Sequence, residues 1–263
     1  MQKMLRNIKC FQKRHQLSSF LCAAIHTSKH ANSLQNYKAQ NEPILDYNVD
    51  SVERNTLKET LLKYLDQPID VPIIIGDEEI RTNTSSYQVA PFDHNKKLAK
   101  FYYADKHLIE KAIENSLSAR ANWESMPLEH RAQIFLKAAD HLSTVRRSDI
   151  VATTMLGQGK TVFQAEIDAA CELIDFLRFN VQFAVDLTRY KPLDVGSHTK
   201  NNMFSRGLEG FVGAISPFNF TAIGGNLCSA PALMGNTVIW KPSETAMLSS
   251  YIFYKILRQS GKK

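Results

Sequence analysis

Two short apolar runs near the end of the chain predict its most regular unit. Phe211–Ile215 is stopped by Ser216-Pro217, and Thr237–Trp240 is stopped by Lys241-Pro242. Runs that are apolar on both faces are typical of parallel strands covered by helices. Roughly 20 residues of helical composition separate the two runs, which is enough for a crossover connection. The pattern therefore predicts a strand–helix–strand unit over Gly210–Glu244.

The earlier part of the chain has patterns for one helix and then for several strands. Five apolar residues at helical spacing predict an amphipathic helix that ends before Pro68: Val52, Leu57, Leu61, Leu62 and Leu65. Gly76-Asp77 lies between two strand-like runs and predicts a hairpin turn. Two more strands are predicted at 87–90 and 99–103, separated by the polar residues 93–95. We expect this opening section to be antiparallel.

A series of helices is predicted to follow. Asp105 is suited to N-cap the first, and Pro127 is tolerated where the second begins. A third is predicted from Ser148 to Leu156, ending at Gly157. The longest predicted helix runs over residues 161–187, where apolar residues recur at intervals of three and four.

Beyond this helix the pattern changes twice. Lys191–Arg206 is polar, with Pro192, Gly196 and little helical periodicity, and we interpret it as a hairpin arm that leaves the globular body. Thr245–Gln259 returns to a helical pattern, and Gly261 is predicted to close that helix as a C-cap.

The charge of the chain is concentrated in a leader. The formal net charge is +6, yet residues 1–41 hold seven of the 32 Lys and Arg residues and none of the 26 acidic ones. A basic, acid-free leader interrupted by apolar residues is the composition of a mitochondrial transit peptide, which we predict at 1–32. An ordinary disordered basic tail is the alternative. The nearly neutral remainder has no basic stripe interleaved with aromatic residues, so we expect no nucleic-acid partner, and no apolar run is long enough to predict a membrane span.

Several familiar kinds of site are not indicated. The four cysteines form no CxxC pair and the histidines show no ligand spacing, so we expect neither a disulfide framework nor a metal site. The sequence GQGKT resembles the end of a P-loop, but Thr154 occupies the position that requires the first glycine, and no strand precedes it. A GxGxxG fingerprint after a strand is also missing.

Polar residues follow both predicted strands of the strand–helix–strand unit, where ligands bind in parallel sheets. Asn219 lies beyond the first strand, and a rigidly held amide can donate to a developing oxyanion. The alternative is a loop asparagine that bonds its own backbone. Lys241 can contact a diphosphate or a ribose hydroxyl, and Glu244 can accept from a ribose hydroxyl or favour the helix dipole. Ser216 can donate to a cofactor or cap a turn.

Longer motifs carry a resemblance to a known family. The segments SPFNF, GGNL, APALMGNTVIWKPSETAMLS and GQGKTVFQAEIDAACELIDFLRFN resemble the aldehyde dehydrogenase superfamily, most closely its mitochondrial glutamate-5-semialdehyde dehydrogenases. NEPIL, IIGDEEI and FYYADKHLIEKAIE extend the resemblance over essentially all of 41–260. It implies an α/β fold class: an incomplete Rossmann-like NAD-binding domain with N-terminal antiparallel strands, helices and an oligomerisation arm.

The resemblance also implies an activity and a division of the chain. In this family a cysteine thiolate attacks the aldehyde, a hydride passes to NAD, and a glutamate-activated water releases the acid. The implied substrate is L-glutamate 5-semialdehyde, oxidised to L-glutamate in proline catabolism in the mitochondrial matrix by a homo-oligomer, expected to be a dimer. The implied regions are a set of strands and helices at 41–190, the arm at 191–206, and the first part of the NAD-binding core at 207–263.

Individual roles follow the family's motifs. Asn219 matches the oxyanion-hole asparagine, Ser216 and Lys241 match cofactor contacts, and Glu244 matches the ribose-binding acid. Glu172 and Phe220 match positions near the entrance for the aldehyde.

The family's nucleophilic cysteine and general-base glutamate have no counterpart in these 263 residues. We therefore expect the N-terminal half of such an enzyme, inactive by itself. The alternative is a non-catalytic short form that pairs with full-length subunits.

Overall fold

The computed structural model describes Leu34 and residues 36–262, and the chain divides into two units, 1–38 and 39–263. In the first unit the described residues form a turn in which the Tyr37 N–H donates to the Leu34 carbonyl (2.9 Å). The transit peptide predicted at 1–32 lies outside the described residues. All the elements below belong to the second unit.

The helices of the second unit follow one another in the order that the sequence predicts. They are α1 (Val52–Asp66), α2 (Lys106–Ser125), α3 (Leu128–Ser143), α4 (Arg147–Gln158), α5 (Val162–Ala165), α6 (Leu173–Leu187), α7 (Thr221–Leu233) and α8 (Met247–Ser260). A π-helical segment, Glu166–Glu172, joins α5 to α6, and a 3-10 turn, Glu244–Ala246, precedes α8.

Among the residues that the structure describes, seven strands form three small sheets. They are β1 (Ile69–Val71), β2 (Ile73–Ile75), β3 (Glu78–Ile80), β4 (Ser85–Ala90), β5 (Asp93–Tyr102), β6 (Val212–Ile215) and β7 (Val238–Lys241). One sheet has the order β1-β5-β4, while β2-β3 and β6-β7 form two-stranded sheets. The mixed α/β class is thereby confirmed.

The predicted hairpin is present between β2 and β3, and Gly76 in its turn has a φ of +60°. The predicted antiparallel pair is also present as β4 and β5. Two details were wrong. Residues 93–95 belong to β5 instead of separating two strands, because the turn between β4 and β5 is only Pro91-Phe92. The section is not wholly antiparallel either, since β1 pairs with β5 in parallel.

Helix ends follow the predicted signals with small shifts. The Asp105 side chain accepts from the Leu108 N–H (2.9 Å), and Pro127 immediately precedes α3. The third predicted helix does not end at Gly157: it continues to Gln158, and Gly159 closes it with a left-handed φ of +65°. Gly261 is the C-cap of α8, as predicted, and it has a right-handed φ of −83°.

The buried face of α1 differs from the predicted one. Leu57, Thr60 and Tyr64 are buried, whereas Val52 and Leu62 are 80% and 69% exposed. The Tyr64 hydroxyl donates to Asp149 on α4 (2.8 Å), so a polar contact fixes which side of the helix faces the body.

Buried charges hold the residues before α1 against the helices. The Arg147 guanidinium contacts the carboxylates of Glu166 and Glu42, and Glu166 is fully buried. Glu166 also accepts from the Tyr47 hydroxyl (2.7 Å) and from the Leu45 N–H (2.9 Å). A buried carboxylate with several donors is strongly tied to its partners, because losing one leaves an uncompensated charge.

The predicted strand–helix–strand unit is confirmed. β6 and β7 are parallel, with Ile215 opposite Lys241, and α7 lies between them in sequence. Gly225 on α7 allows close packing, since a Cβ there would lie 2.6 Å from Leu173 Cδ1 and 2.9 Å from Phe253 Cε1. The unit is thus pressed against both α6 and α8.

Residues 191–206 contain no helix and one bridge, between Val195 and Thr199. Gly196 between them has a φ of +63°, and the Asn201 side chain donates to the Leu193 carbonyl (2.6 Å). The segment is an exposed hairpin-like excursion, and its part in oligomerisation stays a prediction.

Candidate functional site

The ends of β6 and β7 lie side by side. The Ser216 N–H donates to the Lys241 carbonyl (3.1 Å), continuing the parallel ladder by one residue beyond β6. Polar residues that follow the two strands are consequently neighbours at one edge of the unit. This edge is the carboxyl end of the strands, where ligands of parallel sheets bind.

Ser216 is buried beside a tryptophan. The Trp240 indole N–H donates to Ser216 Oγ (2.5 Å), and a Cβ on Gly224 of α7 would lie 3.5 Å from the same oxygen. Because that oxygen already accepts from the indole, the hydroxyl hydrogen is left to donate elsewhere. The serine is therefore held as a donor at the strand end.

Lys241 and Glu244 are both exposed. Within the described part of the chain, neither side chain makes an ion pair or a hydrogen bond. Glu244 opens the 3-10 turn that leads into α8. Both charged groups are open to solvent and can meet a ligand without first breaking a polar contact to another described residue.

Asn219 lies in the exposed loop 217–220 between β6 and α7. Its side chain makes no hydrogen bond to its own backbone or to any other described residue, so the alternative reading as a self-bonded loop asparagine is not what the structure contains. Phe218 and Phe220, on either side of it, are 67% and 38% exposed. Among the described residues the amide has no hydrogen-bond partner, and its two neighbours in the chain are aromatic.

A buried carboxylate caps the helix that follows this loop. Asp168 Oδ1 accepts from the Ala222 N–H (2.9 Å) and Oδ2 from the Thr221 N–H (3.0 Å), while Asp168 is only 2% exposed. N–H groups in the first turn of a helix lack partners within the helix and favour a negative charge. Asp168 supplies both an acceptor and the charge, from the π-helical segment instead of from α7.

Lys160 links this carboxylate to the loop. Its ammonium contacts Asp168 Oδ2 (2.5 Å) and lies 4.3 Å from the centre of the Phe220 ring. The first contact is charge-assisted, and the second places a cation near an aromatic face. Lys160 thus has a defined place in the site, although the GQGKT segment that contains it is not a P-loop.

Glu172 lies four residues after Asp168 and is half-buried. Burial raises the pKa of its carboxyl group, the charge of Asp168 raises it further, and Lys160 lowers it. Lys160 therefore interacts with both of the predicted entrance residues: with the charge of Glu172 and with the ring of Phe220. Their role toward an aldehyde remains a prediction.

Sequence reasoning missed three residues of this site: Asp168, Lys160 and Trp240. Asp168 acts on backbone groups 53 and 54 residues away, a separation that no local pattern reports. One signal was available, since Glu166 and Asp168 interrupt the apolar face of a long helix, and buried carboxylates need partners.

The two cysteines of the described body are both buried. Burial raises the pKa of Cys171 to about 12, and burial likewise raises the pKa of Cys228 to about 12. The nucleophilic form of cysteine is the thiolate. Neither residue is therefore suited to attack a carbonyl group at neutral pH.

Two further searches covered the described residues alone. No group of three or more His, Cys, Asp and Glu side chains there could hold a metal ion. Among the described residues, no helix combines the length and the apolar character needed to cross a bilayer.

Comparison with known proteins gives a consistent set of relatives. The chain is 59% identical to the mitochondrial Δ1-pyrroline-5-carboxylate dehydrogenase of Rattus norvegicus over 233 residues, which are 89% of this chain and 41% of that protein. The enzyme of the same name from Homo sapiens is 57% identical over the same shares. The chain spans about two fifths of the length of these curated relatives.

Solved structures agree with the sequence relatives. The Δ1-pyrroline-5-carboxylate dehydrogenase of Mycobacterium tuberculosis, crystallised with NAD, is 45% identical with a TM-score of 0.83, covering 86% of this chain and 42% of that one. The Thermus enzyme with bound NAD is 29% identical with a TM-score of 0.76, covering 86% and 43%. Residues 80–262 match the description "Aldehyde dehydrogenase family". Since that match spans most of the chain, this protein belongs to the aldehyde dehydrogenase family.

Proposed function

We propose that this chain carries the NAD contacts and the oxyanion donor of a dehydrogenase that oxidises L-glutamate 5-semialdehyde to L-glutamate in proline catabolism. The observation that supports this most strongly is that Ser216 and Lys241 are neighbours at two adjacent strand ends, with Asn219 in the loop that follows the first of them. The relatives named above, at up to 59% identity, support the substrate. The names of the rat and human relatives include the word mitochondrial, which supports a location in the mitochondrial matrix.

The residues present fit NAD. The Ser216 hydroxyl, with its oxygen occupied by Trp240, has its hydrogen free to donate to a cofactor oxygen. The exposed Lys241 ammonium can donate to a ribose hydroxyl or a diphosphate, and the exposed Glu244 carboxylate can accept from a ribose hydroxyl. When bound, NAD supplies the hydride acceptor of the oxidation.

Asn219 has a separate role in the proposed reaction. As a nucleophile adds to the aldehyde, negative charge develops on the carbonyl oxygen, and a preorganised neutral donor stabilises that charge without a proton transfer. Glu172 and Phe220 line the approach, where a half-buried carboxylate and an aromatic ring restrict how the aldehyde enters. The nucleophile comes from neither Cys171 nor Cys228, because both thiols are buried with raised pKa values.

The 263-residue chain alone is accordingly proposed to be inactive. A chimera that joins it to the second part of the rat relative tests the positive half of the proposal. We expect the chimera to form NADH from NAD and glutamate semialdehyde, and the chain alone to form none. Asn219→Ala in the chimera should lower kcat by roughly 10²–10³-fold, the usual effect of losing an oxyanion donor. A chimera that folds and binds NAD, yet keeps full activity with Asn219→Ala, would refute the assigned role.

A second function is favoured by the exposed apolar side chains of the arm. Leu193, Val195 and Phe204 are 86%, 71% and 85% exposed. Apolar residues on an exposed excursion are typical of a surface that another chain covers. We propose that the arm pairs this chain with a second copy, or with a full-length relative, so that the two chains form a dimer.

A further inference from the structure

One pair of charges outside the strand ends, Lys160 and Asp168, contacts the residues that directly follow Asn219. Asp168 accepts from the N–H groups of Thr221 and Ala222, the first two residues of α7. Phe220, which precedes the helix, has no side-chain group that could accept from these donors. The start of α7 is therefore set by a carboxylate on another helical segment.

Lys160 completes the arrangement. Its ammonium neutralises the buried Asp168 carboxylate at 2.5 Å and reaches within 4.3 Å of the Phe220 ring centre. A carboxylate that is 2% exposed needs such a partner, because an unpaired buried charge is costly. One cation thus contacts both the group that caps α7 and the residue next to Asn219.

We propose that Lys160 and Asp168 act as a positioning pair that holds the Asn219 amide in place. Asn219 has no hydrogen bond of its own among the described residues, so its orientation depends on the backbone that flanks it. Pro217 restricts the backbone on one side. On the other side, two residues away, the Asp168 carboxylate fixes the helix start.

This inference rests on the proposed function, since a fixed Asn219 matters for catalysis only if its amide binds an oxyanion. Oxyanion donors are effective because they are oriented before the reaction begins. A merely structural cap would stabilise α7 without ordering the loop before it. The two alternatives differ in whether the Asn219 side chain itself responds when the pair is broken.

Nuclear magnetic resonance of the 263-residue chain, labelled with ¹⁵N in its asparagines, distinguishes them. Asn219→Gln removes one side-chain NH₂ signal and so assigns it. Asp168→Asn turns an amide nitrogen toward one of the two N–H donors, and Lys160→Met removes the ammonium. We expect both variants to shift and broaden the Asn219 signal, and in uniformly labelled samples to speed amide exchange of Thr221 and Ala222 at least tenfold.

The conservative variant provides the control. Lys160→Arg keeps a cation that can pair with Asp168 and stack on Phe220, so it should retain the original Asn219 signal. Lys137→Met, at an exposed position on α3, should also leave it unchanged. If α7 exchanges faster in Lys160→Met while the Asn219 signal stays as it was, the pair only caps the helix and the inference is overturned.

A titration with NAD on the same samples separates this inference from the proposed function. Ser216 directly follows β6 and Lys241 ends β7, and neither contacts Lys160, so Lys160→Met should bind NAD within about twofold of the unaltered chain. Failure of the unaltered chain to bind NAD counts against the proposed function alone. Binding with an unresponsive Asn219 signal counts against the positioning pair alone.

Discussion

At the scale of single residues, the site consists of polar groups that can still bind a ligand after their contacts within the described residues are counted. Ser216 accepts from Trp240 and keeps its hydrogen to donate, whereas Lys241 and Asn219 have no partner within the described residues. The buried charges nearby are fully engaged, because Asp168 has two backbone donors and Lys160. The contrast separates groups that can meet a ligand from groups that hold the site together.

Glu172 gives a pH-dependent prediction at this scale. Burial and then Asp168 raise its pKa above the ordinary value of about 4.3. Its contribution to stability is therefore complete below that pH and is lost as the pH rises through the folded-state pKa. Glu172→Gln should unfold at a higher urea concentration than the unaltered chain at pH 7.5, with the difference vanishing at pH 4.

The matched control is Glu114→Gln, which changes an exposed carboxyl group on α2. Its urea midpoint should differ little from that of the unaltered chain at either pH. A Glu172→Gln variant that is less stable than the unaltered chain at pH 7.5 would contradict the assigned effect of burial.

The sequence allows some of these residues to be predicted and hides others. Ser216 and Lys241 could be predicted because each directly follows an apolar run that is stopped by a proline, and Asn219 because it lies in the turn after the first run. Asp168 could not be predicted, since the N–H groups that donate to its carboxylate, those of Thr221 and Ala222, are brought near it only by the packing of the π-helical segment against α7. For the same reason Lys160 was considered only as part of a P-loop resemblance.

At the scale of elements, periodicity identified nearly every helix and the parallel pair β6 and β7. It failed where polar residues lie in a strand, as at 93–95, and where pairing depends on distant chain, as for β1 beside β5. The π-helical segment inside the predicted 161–187 helix also left no separate pattern. The same polar residue types occur in turns and at exposed positions of strands, so only the pairing of β5 with β4 shows that residues 93–95 belong to a strand.

Gly225 provides a test of how α7 is packed. Alanine normally stabilises a helix interior relative to glycine, but here its Cβ would approach the fully buried Leu173 and Phe253 side chains within 3 Å. Overpacking of this kind costs about 1–3 kcal/mol. Gly225→Ala should lower the free energy of unfolding by that amount, as measured by urea denaturation.

Gly213 is the matched position, because no atom lies within 4 Å of where its Cβ would be. Gly213→Ala should leave the free energy of unfolding within about 0.5 kcal/mol of the original, as most exposed substitutions do. Equal effects of the two substitutions would mean that α7 is not held closely against α6 and α8.

At the scale of the whole molecule, the chain spans about two fifths of the length of the curated relatives that it matches. Its described body combines helices with a three-stranded mixed sheet, the antiparallel pair β2 and β3, and the parallel pair β6 and β7. The arm at 191–206 extends from this body with its apolar side chains exposed. Whether the arm pairs two chains is therefore a prediction for the whole molecule.

Replacing two arm residues tests this. If the arm pairs two chains, light scattering should give the unaltered chain twice the monomer mass, and Leu193→Asp with Phe204→Asp should give a monomer. Charges placed at a covered apolar surface oppose association. Lys58→Asp, an exposed change on α1, should keep the dimer. A monomeric unaltered chain at micromolar concentration, which also fails to pair with a co-expressed full-length relative, would remove the proposal.

The central claim is that the adjacent ends of β6 and β7 bind NAD, and calorimetric titration of the purified chain with NAD measures this directly. We predict saturable binding that weakens at least tenfold in Lys241→Ala, a loss of about 1.4 kcal/mol, and that is unchanged in the exposed-residue control Lys58→Ala. A folded chain that gives no binding heat with millimolar NAD, or one in which Lys241→Ala binds as tightly as the original, would contradict the claim.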